Sequence, residues 1–382
     1  MQFPQNLEQE ILKLKKQLNA VILAHYYQDP EIQDIADFVG DSLDLSRKAS
    51  NTNADTIVFC GVKFMAEVAK ILSPQKTVLI PDMKAGCSLE DSCQPEDFAK
   101  FKAKYPDALV ISYINCSAQI KALSDIIVTS TNAQKIVEQI PLNQRIIFAP
   151  DQHLGRYIAK QAKREMILWH GSCIVHEQFS EKELVKLIAN NNDAYVIAHP
   201  ECPQELLKYA DHIGSTSSLL NFVKIKSNEL SKEHEQGQEH GQEQFDHQLK
   251  NQANLSDNFK ENLTKTKSPK FIAQKFIAQK FIVLTEPHII HQMKKINPLA
   301  QFIDCPFINQ AGCTLCNTCP YMALNTLEKL YLVMFNQVNK LNNNQKNSFD
   351  PLLINFSGGE LELAEHLRVK AELPLRKMLE MS

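Results

Sequence analysis

The sequence predicts an α/β protein made of three similar α/β/α domains, their parallel sheets set around a pseudo-threefold axis. Three observations carry this reading. Stretches beginning at Val21, Leu109 and Tyr195 align with one another without gaps. In each, short apolar runs alternate with helical patterns, as in parallel sheets covered by helices on both faces. A cysteine follows the last strand pattern of each unit: Cys87, Cys173 and, in the third, Cys319.

The first domain is expected over 1–104. It starts with an amphipathic helix pattern in LEQEILKLKKQL, which has no signal-peptide apolar core. VILAH then reads as a short buried strand, TIVFC as a second with the helix KFMAEVAKIL behind it, and TVLIPD as a further strand. The second domain, 105–191, repeats this with LVISY, RIIFAPDQHLGRYIAKQ and MILWHG. The third, 192–335, repeats it with YVIAH, KFIVLTEPHIIHQMKKI and QFIDCP. Residues 336–382 are expected to form a C-terminal tail packed on the domains. The aligned landmarks are a polar ring at the strand end (His25, Tyr113, His199), an Asp twelve residues on (Asp37, Asp125, Asp211) and a hydroxyl seventeen residues on (Ser42, Ser130, Thr216). The rings are 88 and 86 residues apart, the length of one unit.

The third unit carries an insert. Residues 226–270 are polar and rich in Gln, Glu, Asn and Lys, with too little apolar surface to offset the entropy of ordering. This segment is expected as a solvated loop, and His234, His240 and His247 read as solvated side chains. KFIAQKFIAQKFIVL follows, a tandem pentapeptide repeat whose last copy leads into a strand ending at Leu284.

The bulk numbers exclude little but do so cleanly. With 44% hydrophobic residues, 22% charged and a net charge of -3, the chain resembles an ordinary globular protein with no call for nucleic acid or an anionic membrane as partner. It has no apolar run long enough to span a membrane, so a cytoplasmic location is expected. In that reducing compartment ten cysteines read as thiols or metal ligands rather than disulfides.

Three thiolates converging on an axis suit two kinds of metal centre. They leave tetrahedral zinc one protein ligand short, as in a catalytic site. They also leave one iron of a 4Fe-4S cluster free to act as a Lewis acid. Cys60, Cys116, Cys202 and Cys305 read as small buried hydrophobes. For Cys313 and Cys316 in GCTLCNTCPYM, a redox dithiol and a small zinc site both stay open.

Ligands of parallel sheets bind beyond the carboxyl ends of the strands, where His25, Tyr113 and His199 fall. Ser42, Ser130 and Thr216 precede helical patterns and are expected as N-caps, so three helix starts could hold the anionic groups of one substrate. His25, His199, Tyr27, Tyr113 and Glu201 supply proton donors and acceptors.

In AHYYQDPEIQDIADFVGDSL, KAGCSL, SYINCSA, APDQHLGRYI, WHGSCIVHE, AHPECP, GSTSSL and CNTCPYMALNTLEKL, the chain resembles the quinolinate synthase family, the A protein of bacterial NAD biosynthesis. The resemblance implies a transferase that condenses iminoaspartate with dihydroxyacetone phosphate, releasing phosphate and two waters. It implies a 4Fe-4S cluster on Cys87, Cys173 and Cys319, and substrate contacts at His25, Ser42, Tyr113, Asn115, Ser130, His199, Glu201, Ser215 and Thr216. Glu201 and Tyr27 match the acid/base groups, Cys313 and Cys316 a CxxC carried by part of the family, and L-aspartate oxidase is implied as the source of iminoaspartate. The competing readings are another cluster-dependent hydro-lyase on a small anionic substrate, a zinc-stabilised binding protein without turnover, and a thiol oxidoreductase acting through Cys313 and Cys316.

Overall fold

The computed structural model describes residues 3–229, 279–308, 314–315, 317–342 and 355–382. Three parallel sheets form its frame. The first holds β1 (Ala20–His25), β2 (Phe38–Gly40), β3 (Thr56–Cys60) and β4 (Thr77–Ile80). The second holds β5 (Leu109–Tyr113), β6 (Ile126–Val128), β7 (Ile146–Ala149) and β8 (Ile167–Leu168). The third holds β9 (Ala194–Ala198), β10 (His212–Ile213), β11 (Lys280–Leu284) and β12 (Gln301–Asp304). Each has the same order: its second strand, then first, third and fourth. The protein is therefore α/β, with three copies of one parallel-sheet topology.

The strands are near-continuous apolar runs because helices cover both faces of each sheet. All five residues of β3 and all four of β7 are buried. Register repeats with equal fidelity: Leu23 pairs with Phe38, Ile111 with Ile126 and Ile197 with His212. The landmark aspartates fix it. The Asp37 amide donates to the Ile22 carbonyl, and its carboxylate accepts the Ile22 amide at 2.8 Å. Asp125 does the same with Val110 (2.8 Å) and Asp211 with Val196 (2.7 Å). Each aspartate adds one rung where the second strand begins.

Two outer helices close the first core. The helix Leu7–Gln17 starts at Asn6, whose side chain caps the Gln9 amide, and buries Ile11 and Leu14 against the helix Leu327–Leu341. The helix Glu365–Met381 buries Ala371, Leu375 and Met378 in the core shared by the first two sheets. A short strand, β15 (Gly359–Glu360, with β13 Phe307–Ile308 and β14 Thr314–Leu315 preceding it), pairs antiparallel with β4.

The first residues of the expected loop are helical. A helix runs over 216–229, four residues into the expected loop. Within that stretch the Lys226 ammonium pairs with Glu229 at 2.8 Å and sits 5.1 Å from the Tyr195 ring centre, contacts that favour the last turn slightly. The last KFIAQ-type copy forms β11; the earlier copies, the three insert histidines, Cys313 and Cys316 lie outside the described residues.

Candidate active site

The carboxyl ends of the three central strands meet at one cavity of about 690 Å³, counting its open mouth. Twelve of the thirteen residues expected in the site line it; Ser215 stands just behind. Among the described lining residues none is Lys or Arg, so any anion held here is held by neutral donors, helix starts or a metal.

His25 and His199 end corresponding strands and are built alike. The His25 Nδ1 accepts the amide of Tyr27 (3.2 Å), and the His199 Nδ1 accepts that of Glu201 (3.4 Å). A ring nitrogen that accepts carries no proton, so each neutral ring has its proton on Nε2. Burial, opposed by nearby carboxylates, lowers His25 to about 4 and His199 to about 3. Both are therefore neutral donors near pH 7, and His199 Nε2 lies 3.3 Å from the Ser130 hydroxyl. The Asn115 side-chain oxygen is shielded from solvent and takes no protein partner.

Glu201 is the centre of the polar cluster. Its Oε1 accepts the Tyr113 phenol at 2.6 Å, and its Oε2 lies 2.9 Å from His176 Nδ1. The second approach is off the ring N–H direction, so it is an electrostatic contact rather than a hydrogen bond. Burial alone would raise the Glu201 pKa, but His199, His176 and the Tyr113 hydrogen bond hold it well below the usual carboxylate range. Burial and then Glu201 push Tyr27 and Tyr113 well above the usual phenol value, so both keep their protons. The Thr285 hydroxyl joins Tyr27 (2.6 Å) to His176 Nε2 (2.9 Å), and His176 stacks on His199 with ring centres 4.9 Å apart.

The helix starts differ from expectation. Ser42 and Thr216 are first residues of their helices, and Ser130 lies two residues before its cap. The cap positions hold Asp41, Asn132 and Ser215; the Asp41 and Ser215 side chains cap their helices, whereas that of Asn132 accepts the Thr129 amide instead. Asp41 Oδ1 accepts the Leu43 and Asp44 amides, so the cap is the residue before the expected one and its charge also complements the helix dipole. Its Oδ2 accepts the Thr131 hydroxyl at 2.6 Å, and Thr131 in turn lies 2.9 Å from the Ser215 hydroxyl, which ties the starts of units one and three. Ser42, Ser130 and Thr216 are thus free of capping and face the cavity.

Cys87, Cys173 and Cys319 all line the cavity. Cys87 and Cys173 directly precede the short helices Ser88–Asp91 and Ile174–Glu177, and Cys319 comes just before the turn Met322–Leu324. Burial raises all three thiols, Cys319 to about 11 and the others well above their usual value. Amides of the following turns oppose this, while Cys319 raises Cys87, Glu201 with Cys87 and Cys319 raises Cys173, and Glu286 with Glu201 raises Cys319. Three thiolates can therefore coexist here only around positive charge, and this donor set fits a metal cofactor. His176 with Cys173 and Glu201 forms a further group whose donor atoms lie within 4.8 Å of one another.

The third cysteine is not delivered as the repeat suggests. Its segment belongs to unit three by sequence but is held mainly by the first two. Gln28 bonds the Met322 carbonyl, Asn325 the Gly61 carbonyl, Tyr321 the Asp91 carboxylate and Asn317 the Val175 carbonyl. Only the Cys319 amide, donating to Glu286 at 3.3 Å, reaches back to unit three among these bonds. Sequence reasoning also missed Asp41, His176 and Thr285. Their signals were present: Asp41 precedes an aligned hydroxyl, His176 follows Cys173 by three residues, and Thr285 directly follows a strand aligned with β3 and β7.

The chain matches the family described as Quinolinate synthetase A protein over residues 9–235 and 258–380. The quinolinate synthase of Microcystis aeruginosa (strain NIES-843 / IAM M-2473) is 50% identical over 379 residues, 99% of this chain and 96% of that protein. That of Gloeothece citriformis (strain PCC 7424) is 50% identical over 379 residues, 99% and 95% of the two chains. That of Nostoc punctiforme (strain ATCC 29133 / PCC 73102) is 49% identical over 381 residues, 100% and 95%.

Proposed function

The chain belongs to the quinolinate synthetase A protein family and is an enzyme of NAD biosynthesis, and from that premise we propose that it condenses iminoaspartate with dihydroxyacetone phosphate to quinolinate, releasing one phosphate and two waters. The observation that carries the proposal is one cavity that gathers a cysteine from each of three segments, three uncapped hydroxyls and a buried carboxylate with a phenol on it.

In this reading Ser42, Ser130 and Thr216 hold the two carboxylates and the phosphate of the substrates. His25 and His199 donate from Nε2 without carrying charge, and Asn115 offers its unpartnered oxygen to a hydroxyl or imine N–H. Glu201 accepts a proton from the substrate during enolisation and ring closure, and Tyr113 gives its phenol proton to the substrate while taking one from the protonated Glu201 across their 2.6 Å bond. Tyr27 is held in place through Thr285 and donates on the other side. Cys87, Cys173 and Cys319 would hold a 4Fe-4S cluster, which supplies a Lewis-acidic iron for a hydroxyl or carboxylate oxygen. The remaining residues exclude water and orient the two substrates.

The domain limits 1–104, 105–191, 192–335 and 336–382, a cytoplasmic location and supply of iminoaspartate by L-aspartate oxidase belong to the same proposal. No helix among the described residues is long and apolar enough to cross a membrane. A zinc reading draws on Cys173, His176 and Glu201 but leaves Cys87 and Cys319 without a task. The test is an anaerobic incubation with L-aspartate, aspartate oxidase and dihydroxyacetone phosphate. Quinolinate should form; its absence alongside turnover of another small hydroxy acid would favour a different hydro-lyase.

A further inference from the structure

The segment that carries Cys319 meets unit one through a buried ion pair. Lys329 Nζ donates to Asp82 Oδ2 at 2.5 Å and to the Leu324 carbonyl at 2.8 Å. Asp82 Oδ1 accepts the Lys84 amide at 2.8 Å and the Ser357 hydroxyl. The Asp82 side chain is 1% exposed and that of Lys329 9%. Asp82 opens the loop that leads from β4 to Cys87, and Leu324 closes the turn that follows Cys319.

Taking two charges out of water is costly before their attraction is counted, and a packed apolar pair often serves stability as well. Stability alone is therefore a weak reason for this pair. Its geometry offers another: one ammonium holds the Cys319 turn by its carbonyl and the Cys87 loop by its carboxylate. We propose that Asp82 and Lys329 are positioning residues that set Cys319 against Cys87 for the metal centre. This rests on the assignment of a cluster to Cys87, Cys173 and Cys319.

The experiment separates positioning from mere stability by using a double variant. Lys329→Met alone leaves a buried unpaired carboxylate and should lower the melting temperature. Asp82→Asn combined with Lys329→Met leaves no unpaired charge and should recover much of it. After anaerobic reconstitution, iron loss to a chelator is followed for wild type and double variant. We expect loss about tenfold faster in the double variant, the scale seen when groups behind metal ligands are removed. Release at the wild-type rate from the folded double variant would overturn the inference while leaving the cluster assignment standing. Wild-type protein that binds no iron and sulfide would remove the assignment and the inference together. If the double variant is recovered unfolded, Ser357→Ala loosens Asp82 without an unpaired charge, and a wild-type rate there would equally overturn it.

Discussion

Asp37, Asp125 and Asp211 make the same two hydrogen bonds in three units, whereas Tyr27, Asn115 and Glu201, two residues beyond the aligned rings, make three different sets. The aspartates stand where the second strand of each sheet begins, away from the cavity. The other three stand at its wall. In a repeated fold a scaffold task recurs in every unit, so its residue is kept. A chemical task on one asymmetric substrate occurs once, so its residue diverges. The cysteines recur in all three units and line one cavity, and on the proposed function their task is itself threefold.

The largest effect that could break this contrast is at the cysteines. Replacing Cys87, Cys173 or Cys319 by Ala should lower quinolinate formation at least about 100-fold with loss of bound iron; a full complement of iron in any of the three would separate that cysteine from the metal. Next is Glu201→Gln, which keeps shape and removes the proton acceptor. It should cost about 10²–10⁴ in kcat with an unchanged melting temperature, read from steady-state rates and circular dichroism. Asp211→Ala should do the reverse, costing about 1 kcal/mol in urea unfolding while the folded protein keeps its kcat. A large kcat loss there would erase the division between back and front.

A smaller effect concerns pH. Burial pushes the Asp82 carboxyl up, but Lys329 and Ser357 outweigh it and hold it below the usual carboxylate range. Its contribution is thus full above the unfolded value of about 3.9 and is lost as pH falls through the lower folded value. Unfolding followed against pH should show that acid limb in wild type and lack it in Lys329→Met. The smallest effect is expected from deleting residues 230–265, polar in composition, which should leave kcat within about twofold.

Much of this frame was legible because it is written three times. The strands, their order along the chain and the three cysteines follow from aligned apolar runs and landmarks. What escaped lay outside the repetition. The Asp41 cap was hidden because an aligned hydroxyl beside it satisfied the same rule. His176 corresponds to Glu90 and Met322, so no ring repeats there, and Thr285 corresponds to Gly61 and Pro150. The docking of the Cys319 segment on units one and two could not be read at all, since hydrogen bonds such as Asn325 to Gly61 join residues with no shared pattern. That 226–229 continue a helix was not legible either, since Lys226 contacts a carboxylate and two rings whose nearness composition does not reveal.

The central claim is that three cysteines from a repeated scaffold hold one cluster beside Glu201. It is tested most directly by iron, acid-labile sulfide and zinc per chain on anaerobically purified protein. About four irons and four sulfides with little zinc are expected. Stoichiometric zinc without sulfide, persisting after anaerobic reconstitution, would contradict it.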